Sequence, residues 1–287
     1  IKYDMVDTIC VGEGENSLKD FCKKIENKED FSDVTNLWVK QKNGEIKKNP
    51  ITKPVDINEN PIIDTSLFEE ARLYRPMAGK VYKMYPIETI RGCPYTCKFC
   101  NSPDQMRLYK SLGHSFFRKK RMDLVYKELK YFKDVHKVEY NYFWADTFLA
   151  MNKKELDAFC EMYKEFKIPF WFNTRPENCK EEVLKMLKEV GAYRISFGIE
   201  CGNEEFRTKV LQRKPTNKQV VEAFGTIAKG GIAFSVNLII GFPGETRNLV
   251  METVELVKQI SGFDALTVSI FTPYRGTVLR PVSYTHL

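Results

Sequence analysis

The residues best suited to chemistry lie in Arg91-Gly92-Cys93-Pro94-Tyr95-Thr96-Cys97-Lys98-Phe99-Cys100, where three of the eight cysteines fall close together. Gaps of three and then two residues let three thiolates converge on one soft metal centre. Neighbours this close seldom pair with each other as disulfides. A structural zinc site uses four ligands, commonly as two close pairs. No fourth ligand stands nearby, because His114 is distant and Cys160, Cys179 and Cys201 are scattered. Three ligands point instead to a 4Fe-4S cluster, in which one iron lacks a protein ligand and can hold a substrate or cofactor through oxygen and nitrogen. Zinc, or incidental clustering, is the alternative that residue type and spacing leave open.

Strand and helix patterns alternate from about residue 81 onward, which implies a parallel sheet with crossover helices. Six strands are predicted: Pro86 to Arg91, Val138 to Trp144, Pro169 to Asn173, Tyr193 to Ile199, Ala233 to Ile240 and Ala265 to Phe271. Between them apolar stripes at spacings of three and four predict helices over Met122 to Phe132, Lys153 to Phe166, Glu181 to Val190, Lys218 to Lys229 and Leu249 to Ile260. Right-handed crossovers curl such a series into a barrel or partial barrel, with functional groups on the loops after the strands. The cysteine loop follows the first of these strands. Upstream, Thr8 to Glu15 reads as a strand entering a turn, then a helix with apolar Leu18, Phe21, Cys22 and Ile25 and an N-cap at Asn16 or Ser17. That pair resembles the last strand and helix of an α/β layer. Residues 26 to about 80 carry Pro50, Pro54, Pro61 and Pro76 and a predicted hairpin around Asn43-Gly44, and read as a connector.

Composition narrows the class. The chain has 287 residues, 43% of them apolar and 29% charged with the signs mixed, which excludes disorder and suits one large domain or two ordinary ones. The longest strongly apolar stretch, Gly231 to Phe242, is well short of the roughly 18 residues of a membrane span, and no signal peptide is visible. A soluble, cytoplasmic protein whose cysteines serve as thiols or metal ligands is expected. The net charge of +7 is spread along the chain and is weak grounds for a nucleic-acid partner. Ile1 in place of Met and the adapter-like Val282-Ser283-Tyr284-Thr285-His286-Leu287 suggest a chain cut at both ends, with a cloning or sequencing tail expected at 282–287.

The cysteine loop, with Phe99 before its last cysteine and Arg91-Gly92 before its first, resembles the radical S-adenosylmethionine (SAM) superfamily, specifically the branch with an N-terminal cobalamin-binding domain. Phe143-Trp144-Ala145-Asp146-Thr147-Phe148, Gly198-Ile199-Glu200-Cys201-Gly202 and Ile239 to Thr246 resemble its motifs after the second, fourth and fifth strands, and Thr272 to Thr277 the segment after the sixth. The resemblance implies a partial (β/α)6 TIM-like barrel over 81–281, preceded by a strand-helix remnant of a Rossmann-like cobalamin-binding domain at 1–25 and a linker with a hairpin at 26–80. It also implies a 4Fe-4S cluster on Cys93, Cys97 and Cys100, whose unique iron chelates SAM. Reductive cleavage then gives methionine and a 5'-deoxyadenosyl radical.

The same resemblance assigns further SAM contacts. Phe99 would lie near the adenine, or is simply a packed aromatic. Asp146 would meet the ammonium of SAM or the substrate, or caps a helix. Relatives often show two acids here, whereas this chain has Ala145-Asp146. Glu200 would accept hydrogen bonds from the ribose hydroxyls or the ammonium. Cys201 stands where relatives commonly have Ser, and is a reactive thiol or a small filler. Arg175 would contact an anionic group, or forms a rim salt bridge. Gly241 and Gly244 would bring backbone close to SAM, or only make the turn, with Glu245 and Thr246 capping the next helix. Arg118 to Arg121 reads as a solvated basic face, and neither a GxGxxG nor a GxxxxGK[ST] motif is present.

The expected function is a radical SAM enzyme, cobalamin-dependent when intact, that performs methyl transfer or a related radical modification of an unreactive carbon. A flavodoxin- or ferredoxin-type electron donor and a small-molecule substrate are the expected partners, with nucleic acid not expected. The alternatives are a radical methylthiotransferase of RNA or protein, disfavoured by the cobalamin-type remnant, and a non-catalytic zinc-stabilised binding module.

Overall fold

Most alternate residues of the central strands on one face are large apolar side chains, and that period of two decides which face of the sheet the helices cover. The computed structural model describes residues 3–283, so residues 284–287 of the expected tail, His286 included, lie outside the described residues. Contacts divide the chain into two units, one running up to residue 60 and including 105–116, the other comprising 61–104 and residues from 117 onward.

In the first unit β1 (Thr8–Cys10) pairs antiparallel with β2 (Leu37–Lys40), and β2 with β3 (Ile46–Lys48). The hairpin at Asn43-Gly44 is as expected, with Gly44 at φ 84°. The segment read as a connector is joined to the segment before it, because β1 pairs along one edge with β2, Ile9 opposite Trp38. Helix α1 (Glu15–Glu26) starts after Gly14, so Asn16 and Ser17 lie in its first turn, and Leu18 and Ile25 are exposed. Phe21 alone of the predicted stripe reaches a core, against Val34, Leu37 and Val39. The Gly12-Glu13 turn is a framework element: a Cβ on Gly12 would stand 2.7 Å from Tyr109 Oη, which accepts from the Glu13 amide.

In the second unit β4 (Tyr74–Met77) and β5 (Lys80–Glu88) form a hairpin whose Ala78 and Gly79 both have positive φ, at 49° and 79°. Pro76 is tolerated because β4 is an edge strand. The chain continues through β6 (Ile90–Arg91), α2 (Ser102–Ser111), β7 (Arg118–Lys119), α3 (Met122–Asp134), β8 (Tyr140–Trp144), α4 (Lys153–Tyr163), β9 (Phe170–Thr174) and α5 (Glu181–Glu189). It ends through β10 (Ala192–Glu200), α6 (Glu204–Lys209), α7 (Asn217–Gly230), β11 (Ala233–Ile240), α8 (Arg247–Val257), β12 (Ala265–Ile270) and the short α9 (Arg280–Ser283). The sheet runs β12-β11-β10-β9-β8-β5-β4, with all neighbours parallel except β4. This is the expected partial (β/α)6 barrel with one antiparallel edge strand added.

Ile87, Phe143, Phe172, Phe197 and Val236 are fully buried on the helix-covered face. Burying a side chain of this size contributes about 1.5–3 kcal/mol. Capping boxes at Asn152 with Glu155 and at Thr216 with Gln219 start α4 and α7, and Gly231 ends α7 at φ 65°. No helix among the described residues is long and apolar enough to cross a membrane.

Candidate active site

The first parallel strand stops at Glu88, earlier than expected, because Ile90 and Arg91 turn aside to pair with β7. Arg91 is held by a two-pronged ion pair to Glu88, and Gly92 at φ 87° then launches the cysteine loop. The loop is tied down from several elements. Tyr95 donates to Asn178 Oδ1 at 3.0 Å, and the Arg175 guanidinium lies 3.8 Å from the Tyr95 ring centre. The Lys98 amide donates to the Leu211 carbonyl at 3.1 Å.

All three thiols are unpaired, Cys97 buried and Cys93 and Cys100 half-buried. Burial pushes each thiol up, Cys93 to about 12, while Arg213 and Arg175 draw Cys97 back down. Among the described residues no three His, Cys, Asp or Glu side chains are gathered as an ion site.

A cavity of about 610 Å³ opens beside the loop at the carboxyl ends of the strands, lined by Phe99, Asp146, Arg175, Glu200, Arg213 and Asn237 among others. Four of the sequence-predicted residues therefore meet in one place. Phe99 packs edge-on to Phe242 at 5.6 Å and still lines the cavity, so packing and contact are compatible. Asp146 caps no helix, since Asn152 caps α4. Its carboxylate has no hydrogen bond among the described residues and acts on the Cys93 and Cys100 thiols. Arg175 has a side chain 12% exposed; its Nε forms the expected salt bridge, 3.2 Å from Glu177 Oε1, and its Nη2 is buried without a partner.

Glu200 takes positive φ, 70°, at the end of β10, a conformation that costs a non-glycine residue of order 1–3 kcal/mol. Arg213 holds it there, with Nη1 donating to Glu200 Oε1 at 3.0 Å and Nη2 to the Gly198 carbonyl at 2.6 Å. Burial raises the Glu200 carboxyl, with Arg213 and then Arg175 opposing. Sequence reasoning missed Arg213. Its one signal was a basic residue between Gln212 and Lys214, which is indistinguishable from a solvated face.

Other expectations fare differently. Gly241 and Gly244 do not line the cavity, and the Gly241 and Phe242 amides donate to Glu245 Oε2. Glu245 thus closes the turn and Thr246 alone caps α8. Cys201 is fully buried beside Thr253, which makes it a filler. Lys119, Lys120 and Arg121 pair with Glu155, Glu128 and Asp123.

The donor set suits a 4Fe-4S cluster and SAM. Three free thiols share one anchored loop, a buried guanidinium nitrogen of Arg175 lacks a partner, the Asp146 carboxylate lacks a donor, and the Phe99 ring lines the same cavity.

The model of the radical SAM superfamily matches residues 87–257. An uncharacterized methyltransferase of Pyrococcus horikoshii, PH0819, is 29% identical over 280 residues, covering 96% of this chain and 57% of the relative. Among solved structures, TsrM from Kitasatospora setae, a radical S-adenosylmethionine methyltransferase with cobalamin and a 4Fe-4S cluster bound, superposes at TM-score 0.64 and 17% identity over 91% of this chain and 51% of that one. OxsB, a cobalamin-dependent S-adenosylmethionine radical enzyme, superposes at 0.68 and 19% over 97% of this chain and 39% of that one. Likeness at such identity is one of fold. The chain spans about half the length of the curated relatives it matches.

Proposed function

This chain belongs to the radical SAM superfamily, and we propose that it binds a 4Fe-4S cluster through Cys93, Cys97 and Cys100 and SAM in the adjoining cavity. The observation that carries this reading is the meeting of Phe99, Asp146, Arg175 and Glu200 around one cavity at the strand ends, beside the loop that bears the three thiols. When bound, the cluster supplies the electron that cleaves SAM to methionine and a 5'-deoxyadenosyl radical. The chain's own residues bind and orient. Arg175, whose buried Nη2 has no partner, offers that group to the SAM carboxylate and Asp146 accepts from its ammonium. Glu200, fixed by Arg213, accepts from the ribose hydroxyls or the ammonium. Phe99, backed by Phe242, supplies an apolar wall that keeps water from the adenine.

In the intact protein the proposed reaction is cobalamin-dependent methyl transfer, or a related radical modification, of a small molecule in the cytoplasm, with a flavodoxin- or ferredoxin-type electron donor. The names of PH0819, TsrM and OxsB support this reading. The test is anaerobic reconstitution with iron and sulfide, then EPR of the dithionite-reduced protein with and without SAM and an assay for 5'-deoxyadenosine. About four irons per chain, a signal that SAM alters, and the nucleoside as product are expected. Zinc without sulfide, or a signal indifferent to SAM, overturns the reading.

A further inference from the structure

Across the inner face of the half-barrel the side chains change in character from one edge to the other. Toward β12 they are polar, with Ser196, Asn237 and Ser269 lining the cavity beside the cysteine loop. Toward β5 they are aromatic. The Tyr142 and Trp171 rings stack with centroids 4.2 Å apart and planes at 17°, and Trp144 stands edge-on to Tyr142 at 5.7 Å while 57% exposed. These three rings line a second cavity, of about 620 Å³, completed by residues such as Phe68, Met77 and Met84.

Two features say what this cavity would accept. Its only charged lining residues are Arg72 and Arg75, both exposed and without an ion pair among the described residues, and no acid faces it. The polar tips of its aromatic wall are tied to the neighbouring cavity: Asn173 Nδ2 donates to Tyr142 Oη at 2.9 Å and Trp171 Nε1 to Ser196 Oγ at 2.8 Å, and Asn173 and Ser196 both line the first cavity. The two spaces share a wall.

We propose that the aromatic cavity seats the substrate, and that this substrate is a flat aromatic or conjugated acid. Its ring lies against Trp144, Tyr142 and Trp171, and its carboxylate or phosphate meets Arg72 and Arg75. The physical grounds are that aromatic faces favour a planar ring beyond its buried area, and that guanidinium pairs bind carboxylate and phosphate in two-pronged fashion. With no acid in the lining, nothing repels the anion. The proposal names the substrate class for the reaction proposed above and rests on that reading.

The experiment is calorimetric and fluorescence titration of the whole chain, before and after iron-sulfur reconstitution, with four probes: 2-naphthoate, 2-naphthyl phosphate, the neutral 2-naphthamide and the non-aromatic cyclohexanecarboxylate. The two naphthyl acids should bind about tenfold more tightly than the amide, as a charge-assisted contact implies, and their ratio identifies the preferred acid. Cyclohexanecarboxylate should bind about fivefold or more weakly than 2-naphthoate. The double substitution Arg72→Gln and Arg75→Gln should abolish the preference for the acid over the amide, and Trp144→Ala, at an exposed site, should weaken both. Equal binding of the aromatic and non-aromatic acids overturns the proposal, as does an undiminished preference in the arginine variant or no binding by a folded chain. Probe binding with no cleavage of SAM would instead overturn the radical reading and leave the cavity's preference established.

Discussion

Arg213→Met removes a buried cation from a buried anion, and the size of the effect follows from the geometry. Arg213 and Glu200 are 7% and 8% exposed, the guanidinium donates to Glu200 Oε1 at 3.0 Å, and its other arm donates to the Gly198 carbonyl at 2.6 Å. The variant leaves a carboxylate out of water at a backbone position already strained by positive φ, with only Arg175 still acting on it. Breaking such a pair from one side costs about 3–5 kcal/mol, a large part of the stability of a typical domain. The pH dependence has a definite sign. Glu200 has its folded pKa raised above the ordinary value of 4.5, chiefly by burial. The folded state therefore binds its proton more readily than the unfolded state, and stability from this group declines as pH rises from 4.5 through the folded pKa. Loss of Arg213 raises that pKa further, so the variant should suffer more at about pH 8 than at about pH 5. Urea unfolding followed by tryptophan fluorescence at both values measures this, with Glu200→Gln/Arg213→Met as the partner variant that removes the stranded charge. A loss below about 1 kcal/mol at the higher pH, an equal loss at both, or no recovery in the double variant refutes the reasoning.

Single Cys93→Ser, Cys97→Ser or Cys100→Ser substitutions should each lower bound iron and acid-labile sulfide well below the roughly four irons expected per chain, whereas Cys201→Ser should not, as metal analysis after reconstitution will show. Gly202→Ala should destabilise the chain by about 2 kcal/mol or more, because a Cβ there would overlap the backbone of Thr253 and stand 2.5 Å from the Glu252 carbonyl oxygen. The check is its unfolding midpoint, and a change within about 0.5 kcal/mol would contradict the close approach of α8 to this turn. Asn152→Ala should cost about 1 kcal/mol by opening the capping box of α4, with Asn152→Asp restoring most of the loss in the same measurement.

Local signals carried most of the fold. Ala233–Ile240 forms β11 with the bounds its pattern predicts, and Thr216 and Asn152 mark helix starts by side-chain oxygens that reach only the next turn. The failures have equally local causes. β4 was hidden because Pro76 reads as a breaker, and only its place at the sheet edge makes it acceptable. The apolar stripe of α1 suggested a buried face, yet Leu18 and Ile25 are exposed, since a stripe says which side is apolar and not what covers it. The antiparallel pairing of β1 with β2 depends on a strand about 30 residues away in the chain, and no spacing rule reports such a partner.

Thiol spacing and hydrophobic period are properties of neighbouring residues, so the cysteine loop, the alternation of strand and helix, and the family to which these belong were legible before any fold was known. Long-range packing alone makes Arg213 fix Glu200, spends the amides of Gly241 and Phe242 on Glu245, and leaves Arg175 Nη2 buried without a partner. It also divides the inner face of the half-barrel between a polar and an aromatic half. Each of these depends on parallel register, which sets side chains from strands tens of residues apart at the same height, and the energies that choose among them come from burial that no local pattern contains.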